Sequence, residues 1–448
     1  MTTTTPETPT TKYPGPISAR MLEELGRYVI AEPQPFCVDL AASAGMELAT
    51  VDGQRLFDWA GYYGSKLLGH NHPGLSEPDY VRRLLLAANN KVANPDFLTP
   101  ECLDYYRMLV RLAPESMRGE RLEVYSVNSG AEAVENMLKY LVARHNLRAK
   151  EQGRMTGNRR FVYFDKAFHG RTVFALSVTQ TIDPVATKDF VGLTTGGNIK
   201  LPFPAYHADD SEAENEARAA AVLGQLEALL GGMAEEIVGI VVEPIQGAGG
   251  QRVTVPSFFR GLSELAHRYG VALCFDEVQT GGGATGRMWA IDHFDLPHPP
   301  TAVATGKKFG NGAVYMIEPL EDIGVLDSTW GGSLADMVRV VREMEIVAEE
   351  DLVARAATTG AYLQQGLTDL VRRYSFTENV RGMGLYLGFS LDTPARKSAL
   401  IEAALQNEDL LLLGAGRRSI RTRPNLSVTE ADVDRFLATL DRALARVA

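Results

Sequence analysis

Cysteine is scarce in this chain: Cys37, Cys102 and Cys274 stand far apart among 448 residues. An odd, dispersed set with no C-x-x-C pair excludes a disulfide framework, a zinc ribbon and a dithiol redox motif, and it points to a reducing, cytoplasmic setting. Cys274 falls inside an apolar run, where a free thiol acts as a small hydrophobe rather than a nucleophile. Positive charge is also short. With 45 Lys and Arg against 56 acids, the formal net charge is −11 and the pI is near 5.4. No dense basic block offsets that balance, so no nucleic-acid partner is expected. No apolar stretch is long enough to cross a bilayer, and the N-terminus lacks the basic start and apolar middle of a secretory signal, so no membrane is expected either. The chain has no G-x-x-x-x-G-K-[ST] string, which makes a nucleoside triphosphate a poor candidate ligand.

What is present reads as a large α/β domain with a smaller partner. Residues 1–16, rich in Thr and Pro, read as a solvated, disordered tail. "MELATVDGQRLFDW" alternates about Asp52-Gly53 as a hairpin does, within an N-terminal segment over 17–69 expected to pack with the small domain. From 70 to 334, continuous apolar strands such as "LEVYSV", "RFVYFD", "EIVGIVVEPI" and "VALCFDEV" alternate with helical segments. That is the pattern of a mostly parallel sheet buried on both faces. From 335 to 448, long amphipathic helices, the strands "GLYLGFSL" and "SIRTR" and a last helix predict a separate α+β domain.

Several short stretches can carry chemistry, and each has a plain alternative. "YSVNSGAEAVENMLK" places Ser129 and Gly130 between a strand and a helix, either an anion site at a helix start or an ordinary serine cap. In "FDKAFHGRT", Phe168 can stack on a planar ring and Arg171 can clamp a carboxylate; equally, they can be a core aromatic and a solvated cation. "TGKKFGNG" offers lysines at a strand exit, where an apolar pocket makes an amine nucleophilic. "VALCFDEVQTGGGATGR" spells G-x-G-x-x-G from Gly281 to Gly286. Its acids, Asp276 and Glu277, precede the glycines, opposite to the order of a dinucleotide fingerprint, so the glycines read as a loop. His70 and His72 lack a nearby third ligand and read as polar loop residues.

Taken in order, "LGHNHP", "NSGAEAVENMLK", "FHGRT", "EPIQGAGG", "FDEVQTGGGATGR", "GKK", "STWGG" and "IRTRP" resemble the class III pyridoxal-phosphate aminotransferases, of fold type I. The likeness runs from about Val51 to the last helix. It implies pyridoxal 5'-phosphate as cofactor, with Lys307 as the Schiff-base residue that also moves protons and Asp276 facing the pyridine nitrogen. By the same likeness Phe168 and Val278 take the two ring faces, and Gln279 lies near the ring hydroxyl. Ser129, Gly130 and Ala131 hold the phosphate, and Thr329 reaches the phosphate site of a neighbouring subunit, which implies a homodimer.

Within that family the chain is most similar to the enzymes that move the terminal amine of lysine to 2-oxoglutarate. The resemblance then implies that Arg171 holds the α-carboxylate of the donor. Arg423 takes a carboxylate of 2-oxoglutarate, and Glu243 covers Arg423 while the donor is bound. Two residues depart from the pattern: Asp327 where Asn is usual, favouring a more basic donor, and Tyr63 in "YYGSK", shortening the pocket. Ornithine- or 4-aminobutyrate-type transamination is the alternative. More distant ones are a mutase, racemase or decarboxylase of the same fold.

Overall fold

The computed structural model describes residues 11–119, 121–155, 157–180, 197–318, 320–321 and 324–448. Fifteen strands run in chain order among them. β1 (Val38–Ala44), β2 (Glu47–Thr50) and β3 (Arg55–Asp58) open the fold. β4 (Glu123–Val127), β5 (Arg160–Phe164), β6 (Ile199–Leu201), β7 (Ile237–Val242), β8 (Ala272–Asp276), β9 (Ala302–Thr305) and β10 (Gly312–Met316) follow. β11 (Thr377–Met383), β12 (Tyr386–Leu391), β13 (Leu410–Leu411), β14 (Leu413–Ala415) and β15 (Ser419–Arg421) close it.

The seven middle strands form one sheet in the order β4-β10-β9-β8-β7-β5-β6. β9, β8, β7, β5 and β6 pair in parallel, while β10 runs antiparallel to both β4 and β9. Parallel strands need cover on both faces. All six residues of β7 are accordingly buried, and so is Cys274 in β8, whose thiol is pushed up to about 12 by burial. One cover is the helix Gly130–Glu151, whose Ala133, Val134, Met137, Leu138 and Leu141 pack on Val127, Val241, Cys274, Ala304 and Val314. Each Val, Leu or Met among them contributes about 1.5–3 kcal/mol on full burial. The helix Pro256–Tyr269 covers part of the sheet too; Pro256 suits its first turn and Gly270, left-handed at φ 64°, ends it.

β2 and β3 form the hairpin expected about Asp52-Gly53. β3 also pairs in parallel with β13, which ties the N-terminal sheet to the C-terminal part of the chain. There β11, β12, β15 and β14 make an antiparallel sheet covered by the helices Leu352–Val371 and Pro394–Glu408, on which the helix Glu430–Ala445 packs in turn. The architecture is thus the expected large, mostly parallel α/β unit with a smaller α+β unit. Residues 1–10 of the expected tail lie outside the described residues. Tyr13, near that tail's end, is 1% exposed: its N–H donates to Gln406 Oε1 at 2.9 Å and its hydroxyl to Asp409 Oδ1 at 2.7 Å, within a cluster that includes Phe36, Leu56 and Leu411. Among the described residues no helix is long and apolar enough to cross a membrane.

Candidate active site

Five strands release their chains on one edge of the large sheet. β4 leads through Ser129 into the helix Gly130–Glu151, and β5 leads to Phe168 and His169. β7 leads to Glu243, β8 ends in Asp276, and β9 leads through Gly306 to Lys307. Outside the carboxyl ends of strands is where an open α/β sheet gathers ligand groups. A cavity of about 570 Å³ lies there, and its walls include Tyr63, Gly130, Ala131, Phe168, Arg171, Glu243, Asp276, Val278, Gln279 and Lys307. Chain folding thus brings together ten of the residues singled out in the sequence. Ser129, Asp327, Thr329 and Arg423 are not in the walls. Ser129 caps its helix, its hydroxyl accepting from Glu132 N–H at 3.2 Å. Asp327 and Thr329 are exposed on a loop whose Ser328 hydroxyl accepts from Asn128 Nδ2 at 3.5 Å.

The electrostatics are set by burial. Lys307 sits in a left-handed conformation (φ 49°), with its Nζ donating to the Tyr63 carbonyl at 3.3 Å. Burial lowers its proton affinity, then Lys308, Arg421 and Arg423 lower it further; the result falls from 10.5 to about 8. The amine form, which is the nucleophile, is therefore accessible near neutrality. Modification of Lys307 by an amine-directed reagent in the cofactor-free chain is expected to accelerate as pH rises through about 8 rather than about 10.5. Peptide mapping across a pH series measures this, and a midpoint near that of surface lysines would contradict it.

Asp276, 5% exposed, has His169 Nδ1 at 2.8 Å from Oδ2 and accepts the Val278 N–H at Oδ1, 3.0 Å away. Burial works against a charge on His169, but the hydrogen bond and charge of Asp276 outweigh it and raise its proton affinity. His169 was visible in "FHGRT" without a role; only the fold puts its ring against Asp276. Glu243, buried, accepts the Phe168 N–H at 2.9 Å, and burial pushes it up to about 7.

Arg423 is fully buried, donates to Thr422 O and to Gln251 Oε1 (2.7 and 2.6 Å), and lies 4.1 Å over the Tyr386 ring. Its neighbour Arg421 is the one that lines the cavity, with Nη1 3.5 Å from Gln279 Oε1. A Cβ built on Gly247 would meet Arg421 Nη1, Arg423 Nη2 and Gln279 Oε1, each at 3.2 Å, so the two guanidiniums converge. Sequence reading passed over Arg421. The available signal was its place at the end of the strand in "SIRTR", two residues before Arg423.

The donor set can be matched to a ligand. A Cβ on Gly130 would lie 2.5 Å from Val278 Cγ1, and one on Gly306 would lie 2.9 Å from Gly130 Cα. Only glycine lets the helix start, the β9 exit and Val278 meet this closely. The unpaired N–H groups at that helix start suit a phosphate. The buried carboxylate suits a protonated pyridine nitrogen, the amine suits an aldehyde, and Phe168 and Val278 offer apolar contacts to a ring. Pyridoxal 5'-phosphate fits these residues.

Fold and site together define a pyridoxal-phosphate-dependent enzyme. The family model described as aminotransferase class-III matches residues 28–444, and the chain belongs to that family. It is 32% identical to an L-lysine-epsilon aminotransferase of Amycolatopsis lactamdurans over 98% of this chain and 99% of that protein. It is also 28% identical to the mitochondrial 4-aminobutyrate aminotransferase of Sus scrofa, over 97% of this chain and 90% of that one. A solved lysine aminotransferase from M. tuberculosis, in its internal aldimine form, superposes with a TM-score of 0.89 at 31% identity, covering 96% of this chain and 100% of that one.

Proposed function

We propose that this aminotransferase moves the terminal amino group of L-lysine, or of a near relative, to 2-oxoglutarate by alternating half-reactions in the one cavity. The observation that carries the reading is the convergence of Arg421, in the cavity wall with Lys307, Asp276 and Glu243, and Arg423, buried behind it. When bound, the cofactor supplies an electron sink for the pair left by a departing C–H proton. Lys307 would hold the cofactor through its Nζ, and as a free amine would take the proton from the amine-bearing carbon of the donor and give one back. Asp276, oriented by His169, would keep the pyridine nitrogen protonated. Phe168 and Val278 would pack on the ring, Gln279 would meet the ring hydroxyl, and the Ser129–Ala131 turn would hold the phosphate.

Substrate selection follows from charge. Arg171 holds the α-carboxylate of the donor, and Tyr63 and Asp327 limit and bias the amine end. The guanidinium pair takes a dicarboxylate acceptor, while Glu243 offsets its charge when a donor with an apolar stem is bound. Thr329 serves the phosphate site of a second subunit. Exposed Val81, Leu85 and Leu86 on the helix Pro78–Asn89, and exposed Phe97 and Leu98 in the segment after it, whose Asn94 Nδ2 donates to the Trp330 carbonyl at 3.2 Å, support a homodimer.

The test is a donor panel read by glutamate formation. Lysine should be the best donor; ornithine or 4-aminobutyrate turning over while lysine does not would reassign the donor and leave the class intact. With donor alone, the enzyme should stop after one half-reaction, whereas a mutase, racemase or decarboxylase would continue. Arg421→Ala should raise KM for 2-oxoglutarate at least about tenfold more than KM for the donor, the loss expected for one charge-assisted contact. Equal effects on both substrates would count against the guanidinium pair. Gly306→Ala should weaken cofactor binding by about 1–3 kcal/mol through overpacking against Gly130, measured by cofactor titration.

A further inference from the structure

Lys308 follows Lys307 but is only 2% exposed and does not line the cavity. Its Nζ donates to the carbonyls of Gln279 at 3.0 Å and Gly281 at 3.1 Å, and it lies 4.7 Å from the centre of the Tyr386 ring. The Lys308 stem runs along Gly282, where a Cβ would come within 2.9 Å of Lys308 Cδ and where φ is 95°. The glycines of "GGGATGR", which serve no phosphate, thus let a second lysine lie against their loop. A methionine would fill that volume without the cost of burying an amine. What the lysine adds is two carbonyl contacts and an ionisable amine.

We propose that Lys308 is a positioning residue: it ties the turn that carries Lys307 to the loop that carries Val278 and Gln279, and it places a second ionisable amine behind the reacting one. The proposal rests on the reading of Lys307 as the cofactor lysine. The charged groups that face Lys307 are Lys308, Arg421, Arg423 and Asp276, and of these Lys308 acts most strongly. Burial lowers the proton affinity of Lys308 from 10.5 to about 7; of the charged groups that face it, Arg423 lowers it further and Glu277 raises it. Glu277 is held in place by Thr280 and by the Ile291 N–H at 2.8 Å, so the loop, both lysines and Tyr386 form one connected block.

Lys308→Met and Lys308→Gln, loaded with pyridoxal 5'-phosphate, provide the test. The pH midpoint of the bound cofactor's visible absorbance should rise in both variants by about one unit, a tenfold gain in proton affinity at the Lys307 nitrogen. The kcat should fall more in the methionine variant, since glutamine still offers a donor to one carbonyl, and KM for both substrates should change little. Midpoints unchanged in both variants would overturn the proposal, because lost packing alone does not move them. If the methionine variant fails to fold, the glutamine variant carries the same test. Borohydride trapping separates the two levels: a label on Lys307 keeps the underlying reading, and a label on Lys308 in the unaltered enzyme overturns it.

Discussion

Lys307→Ala is expected to lower glutamate formation by at least about three orders of magnitude while the protein still binds pyridoxal 5'-phosphate. General acid–base catalysis by a positioned group contributes about 10²–10⁴-fold, and this lysine is assigned the covalent tether as well. The remaining cofactor contacts, at the helix start, Asp276, Phe168 and Val278, are untouched by the change. Alanine meets the same backbone restriction as lysine at φ 49°, so the fold should bear the exchange. Steady-state kinetics give the rate, and the absorbance of the bound cofactor confirms occupancy. A variant that keeps wild-type turnover would remove Lys307 from the mechanism.

The second large effect is expected at Asp276. Asp276→Asn should reduce kcat by about 10²–10⁴-fold, with the cofactor still bound, because a neutral amide no longer holds a proton on the pyridine nitrogen. The amide oxygen can still accept the Val278 N–H, so the local backbone is preserved. His169 supplies an independent readout. Its raised proton affinity depends on Asp276 against the opposing effect of burial, so in the variant the ring should lose its proton at lower pH. Magnetic resonance titration of that histidine measures the shift. Full activity together with an unmoved histidine would argue against both the role of Asp276 and its coupling to His169.

The two variants also separate the roles of neighbouring acids. Glu277 follows Asp276 directly, yet it is fully buried, bonded to Thr280 and Ile291, and pushed up to about 7 by burial. Strand alternation puts the two carboxylates on opposite faces of the β8 exit, one toward the cavity and one toward the glycine loop. Adjacent lysines divide in the same way, Lys307 in the cavity wall and Lys308 behind it.

Much of this was legible in the order of residues. Continuous apolar runs such as "IVGIVV" announce a parallel sheet, because alternating polar residues would be buried on its second face. Strand exits rich in Gly, Asp and Lys mark where the cavity forms. The antiparallel β10 was not announced: its "GAVYM" is as apolar as its neighbours, and direction leaves no trace in hydrophobicity. Tyr13 looked like part of a solvated tail, because its partners, Gln406 and Asp409, lie nearly four hundred residues away.

The covalent sequence alone established the class of fold, the absence of metal-binding and disulfide patterns, and most of the cavity's residue types, since these depend on local periodicity and strand-exit chemistry. Tertiary structure decided which of two adjacent groups does what. It set His169 on Asp276, brought Arg421 to the wall with Arg423 behind it, and separated Lys307 from Lys308. Those outcomes depend on contacts between residues well separated in the chain and on how completely each charge is withdrawn from water. Neither is written in any window of sequence.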